Sequence, residues 1–367
     1  MRDIAGHLRT WLRDDRPFGL ATVVGVSGSS PRPPGASLAV DVHGEAVGSV
    51  SGGCVEGALY DLAGQVLTDR AAVLETYGIS DDEAFAVGLT CGGVLDVLVQ
   101  PVGPAEQPVL AGLLDRVEAD EPVALATVVG GPARLGALLA VTPAGTVGTL
   151  GTEGLDVAVT ADARGMLAQG ATGTRHYGPR GERRVDDVAV FVQAFAPPPR
   201  MLVFGATDFA GAVARAGVFL GYRVTVCDAR PVFATARRFP EAHEVVCDWP
   251  HRYLSGTTVD ERTVICVLTH DPKFDVPLLE VALRSPAAYV GAMGSRRTHD
   301  DRLAKLRAGG VPEAALSRLR SPIGLDLGAR TPEETAVSIA AEIVRERWGG
   351  SGRPLGETSG AIHAAGT

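Results

Sequence analysis

Short apolar runs separated by glycines fill the first half of the chain, and the same runs occur twice. Leu-Ala-Thr-Val-Val-Gly at 20–25 recurs unchanged at 125–130, and the Tyr-Gly pair at 77–78 recurs at 177–178. Runs of this kind predict strands joined by tight turns, while the apolar spacing over 55–67 predicts a helix. The first half is therefore expected to contain two copies of one small α+β unit.

The pattern changes after the prolines at 197–199, where apolar strands begin to alternate with helices. Strands are predicted at 201–204 and 223–227, with a helix over 208–220 between them. This rhythm is typical of a parallel sheet covered by helices on both faces. We thus predict an α/β protein made of an N-terminal α+β domain with an internal repeat, followed by a Rossmann-like doubly wound parallel sheet. The predicted boundaries are 1–196 for the first domain with units at about 1–105 and 106–196, 200–348 for the second domain, and 349–367 for a flexible tail.

Composition and charge exclude several classes of protein. The chain has 367 residues, of which 46% are apolar, and a formal net charge of −9. Without a basic face, nucleic-acid binding is not expected. No apolar run is long enough to span a membrane, and the first residues do not form a signal sequence. The five cysteines include no Cys-x-x-Cys pair and no regular framework spacing, which favours a reducing, cytoplasmic location. They also lack the spacing of iron–sulfur ligands, which argues against an iron–sulfur enzyme.

Comparison of the two copies separates candidate functional segments from scaffold. Three segments occur in the first copy only: the long polar loop at 27–34, Ser-Gly-Gly-Cys-Val-Glu-Gly at 51–57, and Gly-Leu-Thr-Cys-Gly-Gly at 88–93. The second copy folds without them, so the scaffold does not require them. Both N-terminal cysteines lie in these additions, which are the predicted site.

The segment at 51–57 combines an anion-binding backbone with a reactive side chain. Ser51, Gly52 and Gly53 precede the predicted helix, where successive amides can bind a phosphate. The field at a helix N terminus also favours a thiolate at Cys54, which predicts a nucleophile, a metal ligand or a sulfur carrier. Glu56 is a candidate acid or base, or an acceptor for the N–H groups of a heterocycle.

A second thiol and an arginine complete this candidate site. Cys91 is followed by Gly92 and Gly93, which let a ligand approach the backbone closely. Two thiols in two such loops suggest one shared site. Arg32, held between prolines, is a candidate phosphate contact. The alternatives are that both cysteines are small buried hydrophobic residues and that Arg32 is an ordinary surface side chain.

The predicted Rossmann half carries an incomplete dinucleotide motif. Asp228 lies about 20 residues after Gly205, the spacing of an acid that binds a ribose hydroxyl. The glycine motif reads Gly-Ala-Thr-Asp-Phe-Ala at 205–210, so Thr207 replaces the glycine that lets a pyrophosphate approach. NAD(P) binding and a purely structural Rossmann core both remain open. Further ligand candidates at the ends of later strands are His270, Gly294, Ser295 and Arg296.

The segments at 28–36, 51–57 and 89–93 resemble the characteristic motifs of the XdhC/CoxI family, and segments at 269–271, 294–297 and 321–328 also resemble family motifs. The resemblance covers nearly the whole chain. It implies an accessory protein that binds molybdenum cofactor, protects it during sulfuration, and delivers it to a xanthine dehydrogenase-type molybdoenzyme. It further implies Cys54 and Cys91 near the molybdenum, a cysteine desulfurase as a second partner, and a homodimer.

Two other functions are compatible with the same residues. The Rossmann half would suit an NAD(P)-dependent oxidoreductase, with the cysteine domain binding the substrate. The incomplete glycine motif argues against this function. An adaptor that binds only proteins is the second alternative, against which the presence of Cys54, Glu56 and Cys91 argues. The sequence therefore favours an accessory, cofactor-delivering protein over a stand-alone enzyme.

Overall fold

A computed structural model describes residues 1–28, 30–78, 93–103 and 106–359 of the chain. The chain divides into two compact units, Met1–Pro197 and Pro198–Thr358. Of the tail predicted over 349–367, residues 360–367 lie outside the described ranges, and Leu355–Glu357 forms one 3-10 turn.

The first copy of the repeat is a five-stranded antiparallel sheet with the strand order β3-β2-β1-β5-β4. Its strands are β1 (Phe18–Ser27), β2 (Ser37–Asp41), β3 (Ala46–Gly48), β4 (Val73–Tyr77) and β5 (Val94–Val102). Its helices are a 3-10 turn (Arg2–Ile4), α1 (Ala5–Arg13) and α2 (Glu56–Asp69). The predicted helix over 55–67 is therefore confirmed as α2, displaced by one or two residues at its ends.

The second copy repeats this arrangement, with the strand order β8-β7-β6-β10-β9. Its strands are β6 (Val123–Gly130), β7 (Leu138–Val141), β8 (Thr146–Gly148), β9 (Gly173–Tyr177) and β10 (Val188–Phe195). Its helices are α3 (Gln107–Glu118) and α4 (Glu153–Gln169). The internal repeat predicted from the sequence is thus confirmed strand by strand.

The central strands of each sheet in the first unit are buried on both faces. In β1, Ala21 and Val23 pack with α2, whereas Phe18 and Leu20 contact a core that also contains α1 and α3. A smaller cluster joins the two copies directly through Val24, Leu98, Val129 and Phe191. Successive side chains of a strand point to opposite faces, so burial of both faces requires apolar residues at nearly every position. This explains why the repeated runs are continuous rather than alternating.

The second unit is a six-stranded parallel sheet with the order β13-β12-β11-β14-β15-β16. Its strands are β11 (Arg200–Phe204), β12 (Arg223–Asp228), β13 (Glu244–Cys247), β14 (Val264–Val267), β15 (Tyr289–Ala292) and β16 (Leu319–Arg320). Its helices are α5 (Asp208–Phe219), α6 (Pro250–Gly256), α7 (Pro272–Ala282), α8 (Arg296–Ala308), α9 (Glu313–Leu316) and α10 (Pro332–Trp348).

Helices cover both faces of this sheet, as the predicted doubly wound fold requires. Apolar residues of α5 and α10 form one core against the sheet, and those of α6, α7 and α8 form the other. The strand order reverses between β11 and β14, which is where open sheets of this class bind ligands. Within the described ranges, no helix combines the length and the apolar character that crossing a membrane demands.

Candidate functional site

The loop between β3 and α2 contains the sequence-predicted residues Ser51, Gly52, Gly53 and Cys54. Gly52 and Gly53 adopt φ angles of 75° and 117°, which side chains rarely tolerate. A Cβ atom added at either glycine would have no neighbouring atom of the described chain within 4 Å. Both glycines are exposed, and none of the described residues covers their backbone.

The amides of the same loop are directed at the side chain of Glu56. Its Oε1 accepts hydrogen bonds from the amides of Ser51 and Gly52 at 2.9 and 3.0 Å. Its Oε2 accepts from the amide of Gly53 at 2.8 Å and from the hydroxyl of Ser51. The hydroxyl of Ser49 and the amide of Val50 add two further donors. The predicted anion nest is thus present, and the anion that it holds is the chain's own carboxylate.

These donors determine the ionisation of Glu56. Burial alone would raise the pKa of this carboxyl group, but hydrogen bonds from Ser51, Ser49 and the surrounding amides hold it well below its usual range. Glu56 therefore remains ionised at neutral pH. To act as an acid or base, as the sequence suggested, it would first have to leave these donors.

Cys54 lies at the rim of the loop, two residues before α2. Its amide donates to the buried hydroxyl of Ser51 at 2.9 Å, which fixes the backbone beside the thiol. The side chain is half-buried and packs against the apolar core beneath α2. None of the four cysteines within the described ranges forms a disulfide. The thiol thus lies between the apolar core beneath α2 and the exposed glycines of the loop.

The second copy shows how the same position is built without a thiol. Its equivalent of Cys54 is Gly154, where an added Cβ would lie 2.2 Å from the carbonyl oxygen of Arg180. The hydroxyl of Thr152 donates to the carbonyl of Pro179 at 3.0 Å, which holds the β9–β10 connection over the start of α4. In this copy, backbone occupies the space that a side chain at position 154 would need.

The remaining predicted residues of the first unit are placed only in part. Cys91 and Gly92 lie outside the described residues. Gly93 immediately precedes β5. Arg32 donates to the carboxylate of Asp3 at 2.7 Å, so its guanidinium is engaged by the N-terminal segment. Convergence of the two thiols, and contact of Arg32 with a phosphate, stay predictions.

In the second unit, Gly205 and Asp228 lie where the Rossmann pattern predicts. Gly205 has a φ of 109°, and an added Cβ would lie 3.1 Å from the backbone of Leu268 and Thr269. Asp228 ends β12 and accepts hydrogen bonds from the amide of Ala206 and from Arg230. The acid therefore ties the glycine turn to the segment that follows β12.

The other predicted residues of this unit lie on neighbouring loops. His270 is exposed after β14. Ser295 caps α8 by accepting a hydrogen bond from the amide of Thr298 at 3.1 Å, and Arg296 is exposed in the first turn. Gly294, with a φ of 153°, makes the turn before this cap. These loops follow adjacent parallel strands, so they share one edge of the sheet.

A buried ion pair beneath these loops was missed by the sequence interpretation. Asp275 of α7 and Arg302 of α8 lie 2.8 Å apart, with side chains 4% and 3% exposed. Asp275 also accepts from the hydroxyl of Thr269, while Arg302 donates to Ser321 and to the carbonyl of Met293. A charged residue on a helix usually faces solvent, so nothing in the linear pattern distinguishes this pair from surface charges.

The described residues contain no cluster of three or more histidine, cysteine or carboxylate side chains able to hold a metal ion.

Models of known protein families match both units of the chain. The sequence model of the XdhC and CoxI family matches residues 11–78 and 116–178, one match in each copy of the repeat. The model of the XdhC Rossmann domain matches residues 201–343. Together the two models cover well over half of the chain.

Two curated relatives align over most of their lengths. A protein from Bacillus subtilis, described as a probable subunit of xanthine dehydrogenase, is 27% identical, covering 92% of this chain and 95% of the relative. The molybdenum cofactor insertion chaperone PaoD from Escherichia coli is 26% identical, covering 89% of this chain and 83% of the relative.

A solved structure shares the fold. The crystal structure of a protein described as a xanthine dehydrogenase from Bacillus halodurans aligns with a TM-score of 0.67 and 24% identity, and the alignment covers 98% of each chain. At this identity the similarity establishes the fold alone.

Proposed function

The chain belongs to the XdhC and CoxI family, and we propose from this premise that it is an accessory protein that binds molybdenum cofactor. On this proposal, the protein supports sulfuration of the cofactor and its insertion into a xanthine dehydrogenase-type molybdoenzyme. The cofactor is cargo that the protein receives and passes on. Any catalysis by the protein itself is limited to assisting sulfur transfer.

The observation that carries this proposal is the position of the Cys54 thiol beside open glycine backbone. The second copy keeps the same strand, loop and helix but has Gly154 at the equivalent position, so the scaffold does not depend on a thiol there. A thiol next to a helix N terminus suits sulfur handling, because the thiolate is the form that attacks sulfur and binds metals. The names of the two curated relatives support the same assignment at the level of the family.

The residues around Cys54 fit a phosphorylated pterin dithiolene in two respects. The thiol can contact the metal or carry sulfur, and no described residue fills the space that a side chain at Gly52 or Gly53 would occupy, so a ligand could approach the backbone there. The loop amides are already satisfied by Glu56, so the phosphate of the cofactor must be held by other groups. We therefore assign Glu56 the role of shaping the loop that presents Cys54.

The remaining parts of the proposal come from the family resemblance. Cys91 is proposed as the second thiol of the site, and Arg32 as a phosphate contact. The proposed partners are the recipient molybdoenzyme and a cysteine desulfurase, with the protein acting as a homodimer. The insertion chaperone among the relatives supports the first of these partners.

The proposal is tested by loading the purified protein with isolated molybdenum cofactor and following co-elution of molybdenum with pterin fluorescence. We expect near-stoichiometric retention by the wild-type protein. Cys54→Ala should weaken retention by roughly tenfold, about 1.4 kcal/mol, or abolish sulfuration of the recipient enzyme. Cys247→Ala, which removes an exposed thiol of the other unit, is the matched control and should retain the cofactor.

Circular dichroism of both variants checks that they fold like the wild-type protein. Equal cofactor occupancy and equal activation of the recipient enzyme by Cys54→Ala and wild type would remove Cys54 from the site. Saturable NADH binding without pterin retention would instead favour the oxidoreductase function.

A further inference from the structure

The acid at the end of β12 has no acceptor capacity left for a ribose. Oδ1 of Asp228 accepts from the amide and Nε of Arg230, both at 2.9 Å. Oδ2 accepts from the amide of Ala206 at 2.7 Å and from Nη2 of Arg230 at 2.8 Å. A carboxylate has about four lone-pair sites, and all four are used here. The side chain is also only 3% exposed, so a ribose hydroxyl has neither a free lone pair nor access.

The start of α5 is likewise occupied by its own side chains. Thr207, at the position of the second glycine of the dinucleotide motif, accepts a hydrogen bond from the amide of Ala210 at 3.3 Å. Asp208 places a carboxylate, 88% exposed, in the first helical turn. A pyrophosphate at this helix terminus would lose an amide donor and meet a negative charge.

A chain of side-chain contacts connects these two places. The guanidinium of Arg230, paired with Asp228, lies 4.6 Å from the ring centroid of Phe233. Arg238 lies 5.2 Å from the same centroid, and its Nη2 is 3.6 Å from the carboxylate of Asp208. We call the series Asp228, Arg230, Phe233, Arg238 and Asp208 the side-chain bridge.

The bridge runs from the acid that would bind the ribose to the helix that would bind the pyrophosphate. Those two groups mark the ends of the crevice in which Rossmann folds bind a dinucleotide. Each cation of the bridge faces a carboxylate and an aromatic ring, so its charge is balanced within the protein. The groups that would bind the ribose and the pyrophosphate of a dinucleotide are therefore already bound to side chains of the protein.

We infer that the side-chain bridge closes the dinucleotide site, and that the Rossmann half of this chain does not bind NAD(H) or NADP(H). Asp228 links the glycine turn to Arg230 by hydrogen bonds and does not accept a ribose hydroxyl. The fold family implies a nicotinamide cofactor, and the residues present here do not fit one. This inference concerns different residues from the proposal for Cys54, so either can fail while the other holds.

The inference is tested by titrating the full-length protein with NADH and NADPH and following nicotinamide fluorescence and calorimetric heat. The wild-type protein should show no saturable binding up to about 1 mM, a free energy weaker than about −4 kcal/mol. Saturable binding of either nucleotide by the wild-type protein in this range would overturn the inference, and weakening of that binding by Asp228→Ala would show that the acid contacts the ribose.

A gain-of-binding variant tests whether the bridge is the cause. Thr207→Gly with Asp208→Ala restores the second glycine, removes the charge and breaks the contact to Arg238, without touching a buried ion. Adding Arg230→Ala also removes one donor from each oxygen of Asp228, while the amides of Ala206 and of residue 230 remain. We expect the double variant to bind NADH at least tenfold more tightly than wild type, and the triple variant to bind it more tightly still.

Arg307→Ala is the matched control. It removes a guanidinium of α8 that is paired with Glu313 of α9, outside the side-chain bridge. It should leave nucleotide binding unchanged. Thermal unfolding identifies any variant that fails to fold. If the triple variant does not fold, the NADH affinity of the double variant decides whether the bridge excludes the nucleotide. A folded double variant without any gain in NADH affinity would show that the bridge does not exclude the nucleotide.

Discussion

Glu56 and Asp156 occupy equivalent positions in the two copies of the repeat, yet the donors around them differ. Glu56 accepts from four amides and two hydroxyls. Asp156 accepts from the hydroxyl of Thr149 and the amide of Leu150, at 2.8 and 2.7 Å. A carboxylate at this position is thus part of the scaffold in both copies. Only in the first copy does it also set the shape of a glycine loop.

This difference predicts unequal effects of removing the two charges. Glu56→Gln replaces an acceptor with an amide that cannot accept from all six donors, and should lower the free energy of unfolding by about 1–3 kcal/mol. Asp156→Asn is the matched control. It should lower the free energy of unfolding by less, because only two donors face this carboxylate. Urea unfolding at neutral pH measures both. Equal losses in the two variants would contradict the special role of the first loop.

The contribution of Glu56 should also depend on pH. Its pKa in the folded protein is lowered, so its stabilisation is complete above the pKa of the unfolded chain, about 4.3, and is lost as the pH falls towards the folded value. The stability gap between wild type and Glu56→Gln should therefore be constant near neutrality and narrow below about pH 4. A gap that is independent of pH down to acidic values would argue against an ionised Glu56.

At the scale of elements, the described residues around the N terminus of the helix behind the sheet differ between the two copies. In the second copy, the connection after β9 crosses the start of α4, and the backbone of Gly181 lies against that of Gly154. In the first copy, Gly52 and Gly53 before α2 have no described atom near an added Cβ. Among the described residues, backbone thus covers the helix terminus in the second copy, whereas most of the connection between β4 and β5 in the first copy, residues 79–92, lies outside those residues.

Close contact at Gly154 predicts that even a methyl group disrupts this covering. Gly154→Ala should destabilise the protein by about 1–3 kcal/mol, because the added Cβ would overlap the carbonyl of Arg180. Gly165→Ala in the same helix meets no atom within 4 Å, and should stabilise by up to about 1 kcal/mol. Thermal unfolding compares the two variants. A neutral Gly154→Ala would mean that the connection after β9 is free to move away.

At the scale of the whole molecule, the chain is two compact units with different kinds of core. The first unit is stabilised by sheets whose central strands are continuously apolar and buried on both faces. The second unit adds a buried charge network, in which Asp275 and Arg302 connect α7, α8 and the loops after β14 and β15. Because this network lies within one unit, its loss should lower the stability of that unit before it affects the other.

We predict that Asp275→Asn destabilises the unit 198–358 by about 3–5 kcal/mol, since it leaves Arg302 buried without its counter-charge. Hydrogen exchange should show lost protection in β14 and β15, while β1 and β6 of the other unit keep theirs. Glu313→Gln, which breaks an exposed ion pair with Arg307 on the same unit, is the control and should change protection little. Equal loss of protection in both units would contradict separate stabilities.

The sequence by itself determined the repeat, the doubly wound sheet, the family and the loop that carries Cys54. These features depend on local periodicity, on glycines at turns and on motif spacing, all of which can be read along the chain. Comparison of the two copies also isolated position 54 without any coordinates. The predicted roles of Cys91 and Gly92 lie outside the described residues and stay predictions.

Only the tertiary structure decided which partners the polar side chains have. The glycine loop before α2 was predicted to bind an external anion, but folding brings Glu56 into it. Asp228 has the spacing of a ribose acceptor, but Arg230 fills its lone pairs, and Arg302 is buried where a helical arginine is usually exposed. A residue type specifies what a side chain can bind, whereas burial and hydrogen-bond saturation depend on segments that only the folded chain brings together.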